Sequence, residues 1–339
     1  MSAPAPFPMA ELHCHAEGAL PVARARALAR REGVDLGALA AGERYDWEGF
    51  TGFLQAYDRV AALLRAEEDY RDLASAYLGG IARAGALYGE LFVSPDHARA
   101  AGLEPARSVA ALGEGCAQAE RETGIVARLV VVGVRHLGAE AVEAAARFAV
   151  RAALEDPRVS GFGLAGDERM HRPRDFARAF AIAGEAGLGL TAHAGEFAGA
   201  DAVRETVDEL GVSRIGHGVR AIEDEAVVAR LREGGVTLEV CPGSNLALDL
   251  YPSLGSHPLR RLHEAGLRVT VSSDDPPFFG TDLPAEYERA RRMGFGAAER
   301  VALTRNALEA AFVDEPTRRA LLTGLMRRAI SLGAAGGSD

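Results

Sequence analysis

A closed parallel (β/α)8 barrel in a single domain is the fold the sequence predicts. Three observations carry it: eight short β-branched or apolar runs, longer Ala/Leu/Arg/Glu stretches with helical spacing between them, and polar or ionisable residues gathered at the ends of the runs. A length of 339 residues with 48% apolar content supplies the core such a barrel needs.

In chain order the expected strands are Met9 to His15, Leu87 to Ser94, Val126 to Arg135, Val159 to Gly166, Leu188 to Glu196, Ser213 to Val219, Thr237 to Asn245 and Arg268 to Pro276. From the second onward their starts lie 24 to 39 residues apart, room for one strand, one helix and two short loops. The first gap, Met9 to Leu87, spans 78 residues and must hold an insertion. Arg44 to Tyr70 is its expected place, because Tyr45, Trp47, Phe50, Phe53, Leu54 and Tyr57 gather there in a chain only 6% aromatic. It is expected to form a helical lid. Residues 1–8 read as a disordered tail, 9–332 as the barrel and 333–339 as a flexible end.

Composition excludes several functions. All 38 positive side chains are arginine, so Schiff-base chemistry and the Walker lysine of nucleotide-binding loops are impossible. A net charge of -10 argues against a nucleic-acid partner, which needs a basic footprint. No apolar run of membrane-spanning length occurs, and the start of the chain shows no export signal. With only Cys14, Cys116 and Cys241, no disulfide framework is expected, so the reading is a cytoplasmic protein with a small-molecule partner, compatible with a homo-oligomer.

The strand ends hold the chemistry. His13 and His15, two apart, project to one side of a strand, into the barrel mouth. His193 and His217 end two further strands beside glycines, and Asp274-Asp275 end the eighth. Ionisable groups converging from so many strands would cost heavy desolvation without a metal or substrate to compensate them. A hydrolytic zinc site uses three or four protein ligands and leaves a position for water. His13, His15, His193 and Asp274 are the expected ligands, leaving Glu196, His217 and Asp275 for proton transfer and substrate contact. His97, His136, His171, His257 and His263 are read as mostly solvated.

Two motifs mislead. Gly161 to Gly166 matches G-x-G-x-x-G, but a polar, proline-terminated stretch follows in place of the helix a dinucleotide site needs. His15-Ala16-Glu17 matches half of the nucleobase deaminase signature, and the P-C-x-x-C half is missing.

Taken together, Glu11-Leu12-His13-Cys14-His15-Ala16-Glu17-Gly18, Leu164-Ala165-Gly166-Asp167-Glu168, His193-Ala194-Gly195-Glu196, Ile215-Gly216-His217-Gly218 and Ser273-Asp274-Asp275-Pro276 resemble the adenosine deaminase family of barrel amidohydrolases. The resemblance runs from about Ala10 to Asp282. It implies one Zn2+ per chain on His13, His15, His193 and Asp274, with Glu196, His217 and Asp274 carrying the chemistry. Glu196 would protonate purine N1, an activated water would attack C6 and ammonia would leave, with His217 steadying the attacking oxygen. Substrate contacts would fall to His15, Glu17, Asp275 at N7, the Gly166 amide at N3, and an apolar lid of Phe50, Phe53, Leu54 and Tyr57. The expected reaction is adenosine or deoxyadenosine to inosine. Glu17 stands where the family's nucleoside enzymes usually carry Asp, and Gly163 replaces another Asp. The alternatives are therefore adenine to hypoxanthine, or a modified nucleoside such as aminodeoxyfutalosine.

Overall fold

The computed structural model describes residues 6–333. Eight parallel strands pair in sequence order: β1 (Met9–Glu11), β2 (Ala86–Val93), β3 (Val126–Val134), β4 (Val159–Ala165), β5 (Gly189–Ala194), β6 (Arg214–His217), β7 (Thr237–Val240) and β8 (Arg268–Val271). Between them run helices such as Pro105–Thr123, Ala139–Glu155 and Ala200–Leu210. Each turns an apolar stripe onto the sheet, as Val203, Val207 and Leu210 do in the last of these.

Strands end earlier than the sequence suggests. Ladder pairing of β1 stops at Glu11, β7 at Val240 and β8 at Val271, so His13, His15, Asn245, Asp274 and Asp275 lie beyond the ladders. Asn245 instead sits on the short helix Pro242–Ala247, which Pro242 starts. The barrel closes at its rim: the Asp274 N–H donates to His13 O (2.9 Å), and the His15 N–H donates to Asp274 O (3.0 Å). The seam that shuts the cylinder therefore brings the first and last expected metal ligands side by side.

The first gap holds the helices Val22–Glu32, Gly49–Ala61 and Glu67–Ala84. Tyr70, the expected end of the insertion, falls inside the last of these, which packs on β2 as an ordinary crossover helix. In Gly49–Ala61 the aromatic and aliphatic residues Phe50, Phe53, Leu54 and Tyr57 recur at helical spacing and share one face.

Part of the expected N-terminal tail is packed. Phe7 lies against Tyr287, with ring centroids 5.9 Å apart, and the Thr304 hydroxyl donates to Pro8 O at 2.9 Å. At the other end the Gly333 N–H still bonds Ile330 O. Residues 1–5 and 334–339 of the two expected tails lie outside the described residues. Among the described residues, no helix is long and apolar enough to cross a membrane.

Candidate active site

At the C-terminal mouth of the barrel, His13 Nε2 lies 3.0 Å from His193 Nε2, and His15 Nε2 lies 3.2 Å from the same atom. Asp274 Oδ1 stands 3.4 Å from His15 Nε2 and 3.7 Å from His13 Nε2. Tetrahedral zinc with ligands at roughly 2.0–2.1 Å sets neighbouring donor atoms about 3.3 Å apart, so the spacing fits such an ion. His217 also approaches, at 3.9 Å from Asp274 Oδ2. It can be grouped with His13, His193 and Asp274 in place of His15. His15 and His217 thus both stand within reach of the same centre, His15 through His193 and Asp274 and His217 through Asp274.

The chemistry of the donors points the same way. Burial, reinforced by neighbouring imidazoles, holds His13, His15, His193 and His217 well below the usual histidine range and so favours their neutral, ligating form. His193 Nδ1–H donates to Leu164 O at 2.8 Å, leaving a lone pair on Nε2. His13 Nδ1 lies 2.7 Å from Glu239 Oε2 and donates likewise. Two lone pairs thus face each other at 3.0 Å, an arrangement that a cation between them stabilises.

Glycine makes this crowding possible. A Cβ on Gly216 would come 2.8 Å from His13 Cε1 and 3.2 Å from His193 Nδ1; one on Gly18 would overlap the Asp275 carboxyl. Backbone strain collects here as well. His217 and Asp274 hold φ of 61° and 62°, a left-handed conformation uncommon for either residue and concentrated at functional sites.

Around the centre, the other expected residues line one cavity: His15, Phe50, Phe53, Leu54, Tyr57, Gly166, Glu196, His217, Asp274 and Asp275. Glu17 is not on its wall but buried just behind, where it accepts from the Tyr57 hydroxyl (3.2 Å) and the Ser94 N–H (3.3 Å). Glu196 is pushed well above the usual carboxylate range by burial, then by the charges of Asp274 and Glu168. Asp275 is pushed up by burial and by Asp274, and its Oδ1 has no hydrogen-bond partner among the described residues. A buried orphan of this kind calls for a partner that the protein's own groups do not supply.

Several residues that position the site escaped the sequence reading. The Glu168 carboxylate accepts from four successive backbone amides, Gly195 to Ala198, at 2.6–3.0 Å, and so shapes the loop carrying Glu196. Behind His13, Glu239 pairs with Arg214 Nε (2.5 Å), and Arg214 Nη2 pairs with Glu90 (2.6 Å), all fully buried. A charge within a strand, as at Glu239 in Thr-Leu-Glu-Val, was the available signal. His97 and His257, expected to be solvated, are largely buried: His97 stands 3.3 Å from Asp58, and His257 bonds Asn245. A larger hollow opens at the opposite end of the barrel among Arg128, Arg158, Arg268 and Arg318. Barrels of this kind keep their chemistry at the other face.

Converging imidazoles and carboxyls at the C-terminal mouth of a parallel barrel define the class: a hydrolase whose buried cluster fits a metal site. The profile of the adenosine deaminase family matches residues 8–328, and the chain belongs to that family, whose members hydrolyse carbon–nitrogen bonds of cyclic amidines. It is 53% identical over 317 residues to an adenine deaminase of Sinorhizobium medicae, covering 93% of this chain and 97% of that one. An adenine deaminase of Rhizobium johnstonii is 54% identical, with 92% and 97% covered. Among solved structures, an adenine deaminase from Arthrobacter aurescens superposes with a TM-score of 0.87 at 32% identity, over 96% of this chain and 99% of that one. An amidohydrolase from Burkholderia ambifaria with bound Zn does so at 0.84 and 27%, over 97% and 93%.

Proposed function

We propose that this chain hydrolyses adenine to hypoxanthine and ammonia, with one Zn2+ held by His13, His15, His193 and Asp274. The expectation of adenosine thereby gives way to its alternative. The chief support is that relatives above half identity over nearly the whole chain are adenine deaminases. Glu17 adds to it, since its carboxylate is already engaged by Tyr57 and the Ser94 amide and offers little to a sugar hydroxyl.

When bound, the metal supplies a nucleophile at neutral pH by lowering the pKa of water toward about 7. The protein's own groups do the rest. Protonated Glu196 donates to purine N1 and makes C6 electrophilic, then shares in the transfers that turn the amino group into leaving ammonia. His217, its Nε2 3.6 Å from Glu196 Oε1, would steady the attacking oxygen. Asp275, pushed up by burial and by Asp274, would offer a proton to N7, and the Gly166 amide would bond N3. Phe50, Phe53, Leu54 and Tyr57 keep bulk water out.

Loss of the aminopurine absorbance, followed for adenine, adenosine, deoxyadenosine and aminodeoxyfutalosine, tests the substrate. Adenine is expected to lead adenosine in kcat/KM by about 10²-fold or more, because a sugar must displace packed side chains. Faster turnover of adenosine than adenine overturns the assignment.

A further inference from the structure

His217 is held from behind by a chain of hydrogen bonds whose direction is fixed at its far end. The Leu259 backbone N–H, which can only donate, bonds His257 Nδ1 at 3.2 Å. His257 Nδ1 therefore carries a lone pair. Burial pushes this imidazole down to about 3, so it is neutral and its single proton sits on Nε2. That nitrogen faces Asn245 Oδ1 at 3.1 Å and donates to it. The other end of the amide, Nδ2, then faces His217 Nδ1 at 3.4 Å. An amide nitrogen only donates, so His217 Nδ1 must accept. An imidazole whose Nδ1 accepts keeps its single ring proton on Nε2, the atom directed at Glu196 Oε1 and Asp274 Oδ2. Turning the amide over would set its NH2 against the His257 N–H and lose that bond.

We propose that Asn245 and His257 are positioning residues that fix His217 as its Nε2–H tautomer, so that His217 meets the attacking oxygen as a hydrogen-bond donor and not as a base. Three pieces of chain cooperate in this: the helix Pro242–Ala247 carries Asn245, the following loop carries His257, and Leu259 opens the next helix. Both relay side chains are buried, and the Asn245 backbone is anchored through its N–H to Cys241 O (3.0 Å). The Tyr251 ring packs edge-on against His257 at 5.1 Å and holds it in register. The tautomer follows from this network alone; its consequence for the attacking oxygen rests on the proposed deamination.

Nitrogen-15 labelling of histidine in the metal-loaded protein reads the tautomer directly through long-range proton–nitrogen correlation, with His217→Gln assigning the signals. The expected result is a lone-pair shift at His217 Nδ1 and a protonated Nε2. A proton on Nδ1 in the wild-type spectrum overturns the proposal whatever any variant does. In Asn245→Asp a carboxylate accepts from both rings, so the His217 proton moves to Nδ1. There kcat is expected to fall about 10²-fold or more, with KM within about threefold and metal content unchanged. His257→Gln keeps a donor toward Asn245 and should retain the Nε2–H signal and most of kcat, whereas His257→Phe should lose both. Wild-type kcat together with an unmoved Nε2–H signal in Asn245→Asp also overturns it. The spectrum is independent of substrate, so an absence of purine turnover beside an Nε2–H signal would reject the deaminase reading and keep the relay.

Discussion

Replacing Glu196 by Gln is expected to lower kcat about 10³-fold, within the roughly 10²–10⁴-fold range that a positioned acid–base group supplies, and to leave the metal in place. Gln preserves the shape and the hydrogen-bonding ability of the side chain but has no proton to give. The loop should not move, because Glu168 binds its backbone amides and not the Glu196 side chain. An interaction made only in the transition state lowers kcat and kcat/KM equally, and that equality separates lost chemistry from lost binding. Steady-state kinetics beside metal analysis measure both; wild-type turnover in the variant removes Glu196 from its role. The wild-type pH profile adds a sign. Burial and two neighbouring carboxylates raise the Glu196 pKa, so its acid form persists above the usual carboxylate range. On this group's account kcat/KM is level below that raised pKa and falls as pH climbs through it. A profile that rises there instead would mean Glu196 acts as a base.

Much of this arrangement was legible because two periodicities and a few ionisable residues specify it. Expected strand starts at Met9, Val126, Val159, Thr237 and Arg268 coincide with the observed ones, and the other three differ by one residue. The ends were overrun, since the alternation of side chains continues past the last ladder bond. Beyond β8, which ends at Val271, Asp274 takes a positive φ that no apolar pattern announces. The residues meeting at the mouth were readable as ionisable groups at strand ends. Those behind them were not. Glu90, Arg214 and Glu239 lie within strands and inside the barrel, where a charge is tolerated only as part of a pair that the sequence does not display. His257 looked like a loop histidine in water; its burial depends on how the chain after β7 folds back, which is a tertiary fact.

Stripping the metal with a chelator is expected to abolish turnover and also to lower the melting temperature by several degrees, both restored by Zn2+. Glu239 and Leu164 O take the Nδ1 protons of His13 and His193, so their Nε2 lone pairs are committed to the same small volume. In the folded state without a cation these dipoles oppose one another at 3.0 Å, and neither ring can turn away without breaking its Nδ1 bond in a buried site. Unfolding scatters the four proposed ligands, so an ion bound only by the folded chain stabilises it by RT ln(1 + [L]/Kd), about 4 kcal/mol at a thousandfold excess over Kd. Glu239→Gln should weaken metal binding by roughly 10–100-fold, because the His13 ring loses the carboxylate that orients it and raises its basicity. His193→Ala removes a ligand outright and should lose both activity and the thermal response to zinc. Calorimetric scans with and without chelator decide the matter: a melting temperature and a rate that ignore both chelator and Zn2+ would mean that the four groups meet for some purpose other than holding an ion.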